Sequence, residues 1–200
     1  MMTIHGDMQS GNCLKVKYLA DLLGLAYRFV EVDIMKGESR TPEFLAMNPQ
    51  GQVPTVRLED GTCLAQSNAI LCFLARGSDL LPEESLARAR VDEWLFWEQN
   101  AHEFFVAGTI FQVVYLKKSF AEREAWRVAR AEGALDLMER VLQEGRFFAG
   151  ETMTVADLAL LAYTRRAPLG GFDLSTRGAV LAWIERCEDQ LGLEPLAAAA

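Results

Sequence analysis

Long apolar runs are missing: no stretch of the 200 residues approaches the roughly 20 needed to span a bilayer. Basic runs are shorter still, reaching only pairs such as Lys117-Lys118 and Arg165-Arg166, and the net charge is −8. A nucleic-acid binder shows a basic stripe, and anionic headgroups repel an acidic surface, so neither nucleic acid nor membrane is an expected partner. Gly and Pro, 15 and 6 in number, are too few and too scattered for a collagen-like or low-complexity chain. The four cysteines (Cys13, Cys63, Cys72, Cys187) form no CxxC pair, and Met1–Asp7 lacks the basic and apolar regions of a signal peptide. Free thiols in a reducing cytoplasm are therefore expected, and no disulfide framework or metal site.

Half the residues are hydrophobic and about a quarter charged, which excludes intrinsic disorder and supplies a real core. Strand and helix signals alternate over the first eighty residues. Met2–His5 is a short apolar run. Val16, Leu19, Ala20 and Leu23 then recur at helical spacing, and Gly24 is the expected stop. Tyr27–Val32 is aromatic and β-branched, as a strand is. Pro42 takes the first position of a second helix, and Asn48-Pro49-Gln50-Gly51 is a loop. The runs Pro54–Leu58 and Thr62–Leu64 flank the hairpin signal Asp60-Gly61, and Ser67–Ala75 is an apolar helix. The order β-α-β-α-β-β-α predicts a mixed sheet with one right-handed parallel crossover.

Composition shifts at residues 77–83, a linker between residues 1–76 and an all-helical part, 84–200. Trp94, Trp97, Ala101, Phe104, Gly108, Phe111 and Tyr115 recur in steps of three and four. They predict one helix over Glu84–Leu116, roughly 50 Å long at 1.5 Å per residue, with Phe104, Phe105 and Phe111 in the core. Glu98, His102, Phe105 and Thr109 form the face beside that stripe. Further helices are predicted over Ala121–Leu142, Val155–Arg166 and Arg177–Gln190, with a frayed tail at Ala197–Ala200. Thr154-Val155-Ala156-Asp157 is a variant capping box, with Met153 and Leu158 placed for a hydrophobic staple, which makes Asp157 a folding residue.

Three segments carry candidate chemistry. Ser10-Gly11-Asn12-Cys13 opens the first helix, where free N–H groups and the dipole favour an anion. Ser10 can donate to a thiolate there, or Ser10 or Asn12 can simply cap the helix. Gln52-Val53-Pro54 enters a strand. A cis bond at Pro54 would turn the Val53 N–H and C=O towards an extended ligand, and the sequence does not decide between cis and trans. Ser67, after Gln66, is either an N-cap or a hydroxyl and N–H offered to a carboxylate.

Together these residues resemble the glutathione transferase superfamily. The matching stretches are Ser10–Lys15, Pro42–Pro54 and Leu64–Ile70, with a looser match through Thr154–Asp157. The resemblance implies a thioredoxin-like glutathione-binding domain and an all-α substrate-binding domain, paired as a homodimer. The activity implied is conjugation of the glutathione thiolate to an electrophilic apolar small molecule, with glutathione as co-substrate and no cofactor. It also implies that Val53 pairs with the cysteinyl unit beside Pro54 and that Gln66 and Ser67 hold the γ-glutamyl end. Gln52, with Lys36 or Arg40, would reach the glycyl carboxylate.

No Tyr stands just after the first strand, so Ser10 is the first choice as thiol activator and Asn12 the second. Gln66 replaces an acidic residue common in the family. Cys13 has the spacing of a CxxC whose first Cys is replaced, so either inward packing or a peroxidase or disulfide-reductase route is open to it. A non-enzymatic binding module on the same fold is a further alternative. The second-substrate pocket is expected between the domains, with His102 and Phe105 as candidate lining residues.

Overall fold

A computed structural model describes residues 1–195, and the expected frayed tail at Ala197–Ala200 lies outside the described residues. The chain divides into two compact units, Met1–Ser78 and the residues from Asp79 onward. No helix among the described residues is long and apolar enough to cross a membrane.

In the first unit, strands β1 (Met2–Gly6), β2 (Tyr27–Glu31), β3 (Thr55–Arg57) and β4 (Cys63–Ala65) form one sheet in the order β2-β1-β3-β4. β1 is parallel to β2 and antiparallel to β3, which pairs with β4 through the turn at Asp60-Gly61. Helices α1 (Gly11–Leu22), α2 (Pro42–Met47) and α3 (Ser67–Leu74) complete the unit. Side chains alternate along a strand, so Met2 and Ile4 meet Val16 and Ala20 of α1, Val56 of β3 and Ile70 of α3 in one core. His5 points to the opposite face and meets the ring of Phe44 on α2 edge-on at 6.4 Å. Helices therefore cover both faces of a thioredoxin-like sheet. Thr41 caps α2, its hydroxyl accepting from Phe44 N–H at 3.3 Å, and Gly24 leaves α1 at φ +62°.

The second unit is all-helical: α4 (Ser85–Trp97), a π-helical stretch (Glu98–Ala107), α5 (Gly108–Val114), α6 (Ala125–Glu144), α7 (Val155–Thr164) and α8 (Gly178–Leu191). Every residue of α7 is buried, as suits a helix that is apolar all round. The capping box at its start is formed. The Asp157 carboxylate accepts from Thr154 N–H (2.9 Å), Phe148 N–H (3.1 Å), Trp183 Nε1–H (3.0 Å) and the Thr154 hydroxyl (3.1 Å). Met153 and Leu158 are both buried beside it.

The expected aromatic stripe on the long helix is not the buried face. Val91, Leu95, Glu98, His102, Val106, Thr109 and Ile110 go inward, while Phe104 and Phe111 stay exposed. Two physical reasons account for this. The inward polar groups find partners, Thr109 donating to the Phe105 carbonyl at 2.8 Å, so the interior accepts them. A π-helix also bonds i to i+5, so a stripe drawn at α-helical spacing slips in phase across it. Arg127 of α6 supports this stretch by donating to the Phe104 carbonyl at 2.7 Å.

Candidate functional site

The turn after β1 delivers Ser10 to the N-cap of α1 in extended conformation, with φ −86° and ψ 121°. Its carbonyl accepts from Cys13 N–H (3.1 Å) and Leu14 N–H (3.0 Å), which starts the helix. Its hydroxyl makes no capping bond and instead donates to the Cys13 thiol.

Cys13 is fully buried, and Asp7 N–H also donates to its sulfur, at 3.3 Å. Gly6 leaves the space for that sulfur, since a Cβ there would sit 3.0 Å from Cys13 Sγ and 3.0 Å from Phe29 Cζ. Desolvation pushes the thiol up to about 12, and the two donors offset only part of that effect. Cys13 is thus a neutral packing residue, and the alternative of a redox thiolate at this position fails on burial.

Asn12 faces α3. Its Oδ1 accepts from the Ser67 hydroxyl at 2.9 Å and from the Lys15 ammonium at 2.7 Å, and Lys15 is fully buried. Ser67 is the first residue of α3, so this bridge holds two helix N-termini together. Gln66 precedes it at φ +69°, a left-handed conformation that costs a non-glycine residue on the order of 1 kcal/mol or more. Its Nε2 donates to Gln50 Oε1 at 2.6 Å and Gln52 Oε1 at 3.4 Å.

Asn48 shapes the segment before β3. Its Nδ2 donates to the Gln52 carbonyl (2.9 Å) and Thr55 Oγ1 (3.1 Å), and its Oδ1 accepts from Gln50 N–H (3.1 Å). The Val53–Pro54 bond in this frame is cis. Arg40 Nη1 donates to the Gln50 carbonyl at 3.0 Å. Gly51 is required there, because its φ is +61° and a Cβ would come within 2.9 Å of the Ser39 backbone carbonyl oxygen. Lys36 is exposed and paired with Asp33 at 2.9 Å.

Of the sequence candidates, Gln52 and Gln66 are hydrogen-bonded to each other, Ser67 and Asn12 are hydrogen-bonded to each other beside Lys15, and the chain joins the two groups at Gln66-Ser67. Arg40 joins the same loop through Gln50, and Lys36 stands apart with Asp33. The two helix N-termini and the amide-rich loop between them suit an extended anionic ligand. Among the described residues no group of three His, Cys, Asp or Glu side chains could hold a metal ion.

His102 is not positioned to line a pocket. It is fully buried in the helical unit, with Nε2 2.9 Å from Thr164 Oγ1. The Thr164 hydroxyl donates to the Leu160 carbonyl at 2.8 Å, which makes His102 Nε2 the donor to Thr164. Phe105 is half-buried, edge-on to Phe104 (5.2 Å) and Trp126 (6.2 Å).

Two residues of this constellation carry no role in the sequence reading. Asn48 was legible only as part of a loop. Lys15 had a signal: it lies four residues before Leu19 and so shares a helix face with an apolar core position.

Residues 9–76 match the N-terminal domain of the glutathione S-transferase family, and residues 102–190 match its C-terminal domain. Glutathione S-transferase D7 of Anopheles gambiae is 30% identical over 183 residues, 90% of this chain and 82% of that relative. The crystal structure of a glutathione S-transferase from Pseudomonas fluorescens Pf-5 superposes with a TM-score of 0.90 at 44% identity, covering 94% of each chain. One from Xanthobacter autotrophicus Py2 superposes at 0.93 with 41% identity, covering 99% of this chain and 98% of that one.

Proposed function

The chain belongs to the glutathione S-transferase family, and from that premise we propose that it activates the glutathione thiol at the N-terminus of α1 and transfers it to an apolar electrophile. The observation that carries this reading is the Asn12 bridge between the N-termini of α1 and α3. Ser67 and Gln66 receive the γ-glutamyl end, the Val53 backbone pairs with the cysteinyl unit, and Gln52 with Arg40 receives the glycyl carboxylate. The Gln66 carboxamide offers the γ-glutamyl amine a dipole in place of a charge.

A free thiol titrates near 8.5, and bringing it to about 6.5 takes roughly 2.7 kcal/mol of preference for the thiolate. One charge-assisted hydrogen bond supplies about 1.5–3 kcal/mol, and a helix N-terminus adds about 0.3–1 kcal/mol. One side-chain donor at α1 is therefore enough. The thiolate lone pair attacks the electrophilic carbon, the C–S bond forms, and the leaving group departs with the bonding pair. No cofactor enters.

Asn12 is the donor in this reading, because Lys15 and Ser67 hold its Oδ1 beside the start of α1. A second reading keeps Ser10, favoured by the absence of any capping bond from its side chain. Turnover of Asn12→Ala and Ser10→Ala, assayed side by side, separates the two. The donor's loss lowers kcat at least tenfold with little change in glutathione affinity, and the other variant stays near wild type. If both variants keep wild-type turnover, activation at α1 is wrong.

The working form in this proposal is a cytoplasmic homodimer. Its support is the set of large apolar side chains that the helical unit leaves exposed, among them Phe96, Phe104, Phe111 and Trp126, and four free cysteines suited to a reducing compartment. Sedimentation equilibrium tests the dimer, and a monomer at micromolar concentration contradicts it.

A further inference from the structure

Lys15 is a cation with no exposed surface, on a helix whose neighbouring positions hold Leu14, Val16 and Leu19. Burying an ammonium is costly, and a methionine would fill the same space without that cost. Its Nζ lies 2.7 Å from Asn12 Oδ1. The Ser67 hydroxyl, 2.9 Å from the same atom, can donate or accept, so it would serve either end of the Asn12 carboxamide. An ammonium only donates. Of these two contacts, Lys15 is the one that selects the oxygen end of Asn12.

We propose that Lys15 is a positioning residue that holds the Asn12 oxygen inward, so that Nδ2, turned away from Lys15 and Ser67, is the end presented to the glutathione sulfur. This rests on the reading of Asn12 as thiol donor. The opposite orientation would set a carbonyl oxygen against a thiolate and repel it. The ammonium also polarises the carboxamide and so strengthens its N–H donor.

The test is a double-mutant cycle of Lys15→Met and Asn12→Ala, with Lys15→Arg as the charge-preserving control. Lys15→Met is expected to lower kcat about tenfold, leave the glutathione KM within twofold, and raise the titration midpoint of the bound thiol. Lys15→Arg regains most of the loss. In the Asn12→Ala background, Lys15→Met adds less than twofold. A second readout is the Asn12 side-chain amide resonance pair, assigned by its loss in Asn12→Ala, which moves in Lys15→Met. A full Lys15→Met effect without Asn12, or an unmoved resonance pair, overturns the positioning role. If Lys15→Met does not fold, Lys15→Gln, whose carboxamide both donates and accepts, carries the kinetic and resonance tests, and an unmoved pair with wild-type turnover there overturns it equally. Wild-type turnover in Asn12→Ala alone marks instead a failure of the underlying donor reading.

Discussion

Ser67 Oγ and Asn12 Oδ1, 55 positions apart in sequence, lie 2.9 Å from each other and tie the start of α3 to the start of α1. One bond thus ties two positive helix ends together.

Replacing Ser67 by Ala removes that bond and the hydroxyl offered to the γ-glutamyl end. Glutathione affinity is expected to fall about tenfold, or ~1.4 kcal/mol, while the melting temperature stays within a few degrees. Titration calorimetry beside thermal denaturation checks both parts, and unchanged affinity contradicts the assignment.

Gln66 holds φ +69° because the backbone before α3 demands it, and glycine meets that demand without a steric cost. Gln66→Gly is expected to stabilise the protein by about 0.5–1 kcal/mol and yet weaken glutathione binding, because the carboxamide is lost. Denaturant unfolding and binding measured on the same preparation test the trade. A variant that loses both stability and affinity removes the case for strain at this position.

The cysteines give a pH prediction. Cys13 titrates near 12 in the folded chain, above the ordinary thiol range, and burial also raises Cys187. A thiol with a raised folded value favours the folded state fully below about pH 8.5 and loses that contribution as pH climbs towards the folded value. Unfolding midpoints should therefore fall above pH 8.5, and less steeply in Cys13→Ala. In native protein at pH 8, a thiol alkylator should label Cys63 and Cys72, which are part-exposed, and spare Cys13 and Cys187. Rapid labelling of Cys13 would reopen the redox route.

Asp157→Ala leaves three buried N–H groups, of Phe148, Thr154 and Trp183, without their acceptor. The loss should reach about 3 kcal/mol or more, a drop of roughly 6–12 °C in melting temperature for a chain of this size. Catalysis per folded molecule should not change. A shift under 2 °C would mean the capping box contributes little.

Much of this was legible in the residues. Gly24, Pro42, Asp60-Gly61 and Thr154–Asp157 mark element boundaries through local chemistry that tertiary packing did not override. Ser10 and Ser67 were legible as residues at helix starts, whereas roles for Gln52 and Gln66 came only from the family resemblance. The long helix departs from the sequence expectation because Phe104 and Phe111 stay exposed. Its buried side instead holds Glu98, which accepts from Gln99, and His102, whose Nε2 meets Thr164 across 62 positions, a partner no local pattern announces. Lys15 escaped for a related reason: its role depends on Asn12 and, through Asn12, on Ser67, a contact across more than fifty residues. The geometry of Val53–Pro54 was equally out of reach, because a dipeptide does not encode which isomer the fold selects.

The most direct test of the account is the ultraviolet titration of glutathione bound to the wild-type protein and to Asn12→Ala. The account predicts a thiolate that forms near pH 6.5 in the wild type and returns towards 8.5 in the variant. A bound thiol that titrates like free glutathione in the wild type, or no binding at all, would contradict it.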